Sequence, residues 1–150
     1  MLFAALLLAQ AVPAAQTTAC KAKDAALPAA LLGWTTPQDQ IEPGKAALVD
    51  TVDAATLKDL PAGTKPGKAA SIAFHVAAAG TYGIALDQPG WIDVTPGARG
   101  GTPLKSVAHG HGPDCASIRK IVRFELVPGD YRLAVTGLAQ PKAKVMLIRD

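Results

Sequence analysis

The sequence predicts an all-β fold: a single antiparallel β-sandwich of the jelly-roll or immunoglobulin-like type, with about 7–9 short strands. From Lys21 onward the apolar residues show no sustained helical period. Short runs instead alternate apolar residues with other types at a two-residue spacing. Gly, Pro and Asp separate these runs, as expected for turns between strands. Packing two sheets together would bury the apolar faces that such strands present.

The predicted elements begin with a single helical turn at 26–32 and a first strand at 46–52. At 71–76 apolar residues alternate with other types, so His75 is expected on the face that points away from the core. Pro128-Gly129 predicts a hairpin between two later strands, because Pro fixes φ and Gly tolerates a positive φ. The other strands are predicted at 82–86, 91–94, 104–108, 121–127, 130–136 and 144–148.

Composition narrows the class of protein. The chain has 150 residues, 49% of them hydrophobic and 18% charged, with a formal net charge of +3. This length suits one domain with a substantial core, and the composition differs from that of disordered chains. The basic residues are scattered without interleaved aromatic residues, so nucleic acid is not a predicted partner. Their one cluster, Arg119, Lys120 and Arg123, is interpreted as a solvated strand edge.

Residues 1–19 are interpreted as a cleaved signal peptide. The apolar run 2–9 is too short to span a bilayer but fits the hydrophobic region of a secretory signal. No Lys or Arg precedes this run, and a buried N-terminal helix is the alternative. Residues 20–150 would then form a periplasmic or secreted β-sandwich domain with no transmembrane segment in the mature chain. A lipid anchor at Cys20 is not favoured, because Thr17 stands where an aliphatic residue is usual.

The chain has two cysteines, Cys20 and Cys115. In an oxidising compartment they most simply form a disulfide, which would link the new N-terminus to a distant loop. Closing so long a loop contributes about 4 kcal/mol in the chain-entropy model. The alternative is that Cys115 is a thiolate ligand of a metal ion.

The segment HGHGPDC is the densest signal for chemistry. His109 and His111 stand at i and i+2, so on an extended segment both imidazoles point the same way and can reach one metal ion. Asp114 is a candidate third ligand or a partner that orients an imidazole, and His75 is a candidate from a neighbouring strand. Such ligands suit Zn, Cu or non-haem Fe. The alternative is a structural loop in which Asp114 caps the residues that follow.

Other candidate sites are weaker. No nucleophile-elbow motif surrounds Ser106 or Ser117, so a hydrolase triad is not predicted. Trp34 and Trp91 can stack on a sugar. A sandwich this poor in aromatic residues is nevertheless expected to use both tryptophans for core packing.

The segments AFHVAAAGTYGIAL and IVRFELVPGDYRLAVTG, within residues 70–149, resemble bacterial pre-peptidase C-terminal domains. That resemblance implies a secreted β-sandwich module with an accessory role in secretion or binding. The segments LPAALLGWTTP, SVAHGHGPDCASIRKIVRFEL and PGDYRL are similar to a group of small exported proteins of Gram-negative bacteria. Some of these carry the name homogentisate 1,2-dioxygenase, which implies an iron-dependent activity. The dioxygenase itself is a much longer cupin protein, and the chain has no match to the cupin motifs.

The predicted function is therefore an exported, non-enzymatic β-sandwich accessory or binding module with a disulfide between Cys20 and Cys115. Its partner would be a periplasmic protein or a small ligand. The first alternative is a small periplasmic metal-binding protein that uses His109 and His111 together with His75 or Asp114. The second is an iron-dependent aromatic-ring dioxygenase.

Overall fold

The computed structural model describes residues 19–97 and 101–150 and confirms the all-β sandwich. The predicted signal peptide, apart from Ala19, lies outside the described residues. Two short 3₁₀ helices occur in the described ranges, η1 (Ala29–Thr35) and η2 (Ala54–Thr56). The strands of these ranges are β1 (Ala46–Asp50), β2 (Val52–Asp53), β3 (Lys68–Val76), β4 (Gly80–Leu86), β5 (Trp91–Pro96), β6 (Ala108–Gly110), β7 (Lys120–Leu126), β8 (Gly129–Leu138) and β9 (Lys142–Arg149).

The strands form two antiparallel sheets, with the orders β1-β9-β4-β7-β6 and β2-β3-β8-β5. Most consecutive strands lie in different sheets, as they do in a jelly-roll sandwich. β6 is the last strand of the five-stranded sheet, and β5 is the last strand of the four-stranded sheet. None of the helices in the described part of the chain is long and apolar enough to cross a bilayer.

The main hydrophobic core lies between the two sheets. Phe74 and Val76 of β3 are buried in it and His75 is exposed, as the alternation predicts. A second cluster lies on the outer face of the five-stranded sheet, where η1 packs Leu31 and Trp34 against β1, β4, β7 and β9. Fully buried core residues include Val76, Ile84, Leu86, Val94, Phe124, Leu126, Leu133, Val135, Val145 and Leu147.

Two tyrosines hold the connections at which the chain passes from one sheet to the other. Between β3 and β4, the Tyr82 hydroxyl donates to the carbonyl of Ala78 at 2.7 Å. Between β7 and β8, the Tyr131 hydroxyl donates to the Val127 carbonyl at 2.8 Å and accepts from the Val127 N–H at 3.1 Å. These contacts resemble the tyrosine corner of other sandwiches, and they satisfy backbone groups that the turns leave without a strand partner.

The prediction of a hairpin across Pro128-Gly129 is wrong in its pairing. Both strands exist, as β7 and β8, but β7 pairs with β4 and β6 whereas β8 pairs with β3 and β5. Leu126 and Tyr131 on either side of the turn are both buried in the core between the sheets. The turn therefore carries the chain across the sandwich, so that the two strands cover the core from opposite sides.

Two other predicted elements have different boundaries. The helical turn predicted at 26–32 is η1 and lies a few residues later. The strand predicted at 46–52 is divided at Thr51 into β1 and β2, which belong to different sheets. Thr51 is buried at this crossing, where its N–H donates to Pro141 O at 2.9 Å and its hydroxyl to Gln140 O at 2.6 Å.

The strand predicted at 104–108 is wrong. Residues 101–107 cross from one sheet to the other and make isolated backbone bonds to each. The Leu104 N–H donates to Val94 O of β5, and the Val107 N–H donates to Arg123 O of β7, both at 2.8 Å. Regular pairing starts only at β6, beside β7. A segment that bridges two sheets cannot form a continuous ladder with either of them.

Candidate functional site

The predicted disulfide between Cys20 and Cys115 is present, with the two Cα atoms 5.4 Å apart. Hydrogen bonds around Asp24 reinforce this link between the N-terminal segment and the 113–118 loop. The Asp24 N–H donates to Cys115 O, and the Asp24 carboxylate accepts from the N–H and hydroxyl of Ser117 at 2.6 and 2.5 Å. The Ser117 hydroxyl also accepts from the indole N–H of Trp34 at 2.8 Å. Ser117 is therefore a structural residue.

A cleft of about 840 Å³ opens on the side of the sandwich where β5 and β6 are the last strands of their sheets. We name it the edge cleft. Its volume lies within the usual range for small-molecule sites. Its apolar lining includes Ile92, Leu104, Val122 and Phe124. Its aromatic and polar lining includes Trp91, Asp93, His109, His111, Arg119 and Lys120.

Trp91 is the large aromatic side chain of the edge cleft. The prediction that both tryptophans pack in the core is confirmed for Trp34, which is 0% exposed, and is wrong for Trp91, which is 59% exposed. The alternation of β5 explains the difference, because Ile92 turns into the core and Trp91 then turns to the other face. The Trp91 ring lies beside Gly137, where a side chain would come within 3.5 Å of the indole.

Lys120 connects the two sheets at the edge cleft. It begins β7 in the five-stranded sheet, and its ammonium donates to Gly90 O, next to β5 in the other sheet, at 2.8 Å. The same ammonium lies 5.8 Å from the centroid of the Trp91 ring, a distance at which a cation and an aromatic face attract each other. One lysine thus holds a positive charge beside the exposed indole.

Arg119 and His111 form a second polar pair in the edge cleft. Nδ1 of His111 lies 3.3 Å from Nη1 of Arg119 and 3.4 Å from the Arg119 carbonyl oxygen. In one tautomer Nδ1 accepts from the guanidinium, and in the other Nδ1–H donates to the carbonyl. His111 and Arg119 line both the edge cleft and a second depression that Asp114 and Ser117 also line.

Asp93 adds a carboxyl group to the cleft two residues after Trp91, on the same face of β5. It is half-buried, and this burial raises the pKa of its carboxyl above the usual range. The carboxyl takes part in none of the hydrogen bonds or ion pairs found within residues 19–97 and 101–150. Burial is therefore the cause of the shift, since it disfavours the charged form.

We expect Asp93→Asn to raise the free energy of unfolding at pH 7 and to lose this advantage as the pH falls. A carboxyl with a raised folded-state pKa binds more protons in the folded chain than in the unfolded chain. Stability is then lost as the pH rises from the unfolded pKa through the folded pKa. Urea unfolding at pH 7 and in mild acid measures the effect. Asp39→Asn, an exposed carboxyl elsewhere, controls for removing one negative charge, and an equal gain in both variants would contradict the prediction.

The structure brings together only part of the predicted metal-ligand set. His109 in β6 and His111 just after it are exposed and line the same cleft. His75 lies on β3 in the other sheet, where its Nδ1 contacts Asp130 at 2.8 Å. Asp114 lies in the second depression. In the described ranges no group of three or more His, Cys, Asp or Glu side chains is placed to hold a metal ion.

The alternative role of Cys115 as a thiolate ligand is wrong, because its sulfur is in the disulfide. The Zn, Cu or Fe site itself stays a prediction. Comparison of the chain with protein-family models, with curated proteins and with solved structures returned no match. The observations on this molecule alone therefore define its class: a small, disulfide-linked, all-β sandwich protein that carries the edge cleft.

Proposed function

We propose that the chain is an exported, non-enzymatic β-sandwich module that binds a small ligand in the edge cleft. The observation that carries this proposal is the exposed Trp91 at a concave, partly apolar site. Burying an indole is strongly favourable, so an exposed one in a cleft is available to pack against a ligand. An apolar lining with a few converging polar groups is typical of small-molecule sites.

The proposed binding site is tested by NMR titration of the isotope-labelled protein with a library of small saccharides, aromatic acids and nucleotides. We expect ligands to shift the indole N–H resonance of Trp91 and to leave that of Trp34 unchanged. Trp34 is an internal control because it belongs to η1 and is buried on the outer face of the five-stranded sheet. Ligands that bind but shift only residues outside the cleft would contradict the proposal.

The disulfide supports the export part of the proposal, because such bonds persist in oxidising compartments. Expression of the full chain, followed by fractionation and intact-mass measurement, tests it. We expect a periplasmic product that has lost its first residues, near position 19, and carries no free thiol. A full-length cytoplasmic product with two free thiols would contradict it. The similarity to pre-peptidase C-terminal domains stays a prediction, and an accessory binding role agrees with it.

A second candidate function is metal binding, which the shared position of His109 and His111 in one cleft favours. The contact of His111 Nδ1 with a backbone carbonyl is of the kind that orients a metal-ligating imidazole. Titration with Zn²⁺, Cu²⁺ or Fe²⁺, compared between the wild type and a His109→Ala/His111→Ala variant, tests this candidate. Oxygen uptake with an aromatic substrate would then test the dioxygenase alternative if Fe²⁺ binds. Equal metal content in both proteins would exclude these histidines as ligands.

A further inference from the structure

We infer that the ligand of the edge cleft is an acidic saccharide, an oligosaccharide whose rings carry carboxylate groups. This inference rests on the proposed binding function and names the class of ligand. It depends on the two sides of the cleft being chemically different: β5 presents an indole and a carboxyl, and the opposite side presents a guanidinium and two imidazoles. The Lys120 ammonium reaches from that opposite side to the indole.

The β5 side fits the ring of a sugar. Trp91 and Asp93 are two residues apart, so they lie on the same face of the strand. A pyranose ring has a face of C–H groups that packs on an indole, and its hydroxyl groups are hydrogen-bond donors. The Asp93 carboxyl, which has no partner among the described side chains, can accept from such a hydroxyl. A hydroxyl can reach this carboxyl, because within the described ranges no side-chain oxygen is both fully buried and without a hydrogen-bond partner.

The opposite side fits a carboxylate. Arg119 contributes a positive charge here, and Lys120 contributes a second one that reaches across to the indole. Neither cation is in an ion pair with an acidic side chain within the described ranges. His109 and His111 add two imidazoles, which can donate to an anion. An arginine guanidinium binds a carboxylate through two parallel hydrogen bonds, and the bond is stronger because it is charge-assisted. The charges on this side therefore complement an anionic ligand.

The separation of these groups favours an acidic saccharide over a nucleotide or an aromatic acid. A ligand that stacks on Trp91 has two polar groups near it, the Asp93 carboxyl two residues along β5 and the Lys120 ammonium 5.8 Å from the indole centroid. Sugar hydroxyls are donors to that carboxyl, whereas a phosphate or carboxylate placed there would be repelled when Asp93 is ionised. A saccharide carries hydroxyls and carboxylates at different positions around its ring, and so it can satisfy both sides at once.

Calorimetric titration of the mature, oxidised protein with three probes tests the inference. The probes are trisaccharides of galacturonate and of guluronate and a tetrasaccharide of hyaluronan. We expect at least one to bind, and its methyl ester, which has the same rings without the charge, to bind about tenfold more weakly or worse. Added salt should weaken binding of the acid more than that of the ester.

Variants then assign the two sides. Trp91→Ala should weaken both the acid and the ester about tenfold, because both stack on the indole. Arg119→Gln should weaken the acid and leave the ester unchanged. The matched controls are Leu32→Ala, another largely exposed apolar side chain, and Lys58→Gln, an exposed cation on the η2 side; both should bind as the wild type does.

The outcomes separate this inference from the proposed function. If none of the three probes binds, or if acid and ester bind equally, the acidic-saccharide inference is overturned. The proposed binding function survives that result if an aromatic acid or a nucleotide still shifts the Trp91 resonance. If no probe of any class shifts that resonance, both are overturned.

Discussion

Replacing Cys20 and Cys115 together with serine is expected to lower the free energy of unfolding by about 4 kcal/mol. The disulfide joins residues 95 positions apart, so its loss returns the freedom of a long loop to the unfolded chain. Urea unfolding of the oxidised wild type and the variant under identical conditions gives the difference. The reduced wild type is the control, and it should unfold at the same urea concentration as the variant. A loss below about 1 kcal/mol would show that the disulfide does little to restrict the unfolded state.

The same variant should keep its fold in urea-free buffer, because other contacts hold the N-terminal segment. The Asp24 carboxylate still accepts two hydrogen bonds from Ser117, and Trp34 remains packed on the outer face of the sheet. An unchanged NMR resonance of the Trp34 indole would report this. Adding Asp24→Asn to the disulfide-free protein removes the charge that these bonds use, and that triple variant should lose further stability.

The fold was largely predictable because its strands carry a clear two-residue period. Where one face is buried and the other exposed, as in β3, the period alone assigns each side chain to the core or to solvent. The two cysteines likewise left one possible disulfide. The two-residue period could not predict which strands pair with each other. Pro128-Gly129 is compatible with a hairpin and with a crossing between sheets, and the buried Tyr131 hydroxyl that holds the crossing depends on tertiary packing.

The edge cleft was less predictable, because it depends on which strands are last in their sheets. Trp91 has the opposite parity to Ile92, and that was a signal against its place in the core. If β5 were a central strand covered by a helix, an indole on its outer face would still be buried. The outer-face residues of β4, a central strand, are buried in this way. The prediction of a strand edge at Arg119, Lys120 and Arg123 is wrong, because β7 pairs with β4 on one side and β6 on the other; the position of this cluster across from β5 required the strand order.

Gly112 is the residue at which the fold and the cleft constrain each other most directly. A Cβ atom at this position would lie 2.4 Å from the carbonyl oxygen of Ile118 and 2.6 Å from its Cβ. Ile118 is buried under η1, so it has little room to move away. We therefore expect Gly112→Ala to lower the free energy of unfolding by about 2 kcal/mol or more, as overpacking of a close contact does. Urea unfolding measures this loss.

Gly110→Ala is the matched control, since a Cβ there would have no atom within 4 Å. This variant should unfold as the wild type does, because the added Cβ meets no neighbouring atom. It therefore tests the loss of a nearby glycine in the same segment without the close contact. Gly112→Ala should also force residue 112 and Ile118 apart, and these are the chain neighbours of His111 and Arg119. We therefore expect His111 and Arg119 to separate and the NMR resonances of both to shift. If the two variants were equally stable, the close approach of the 110–113 segment to Ile118 would not be what positions the cationic side of the cleft.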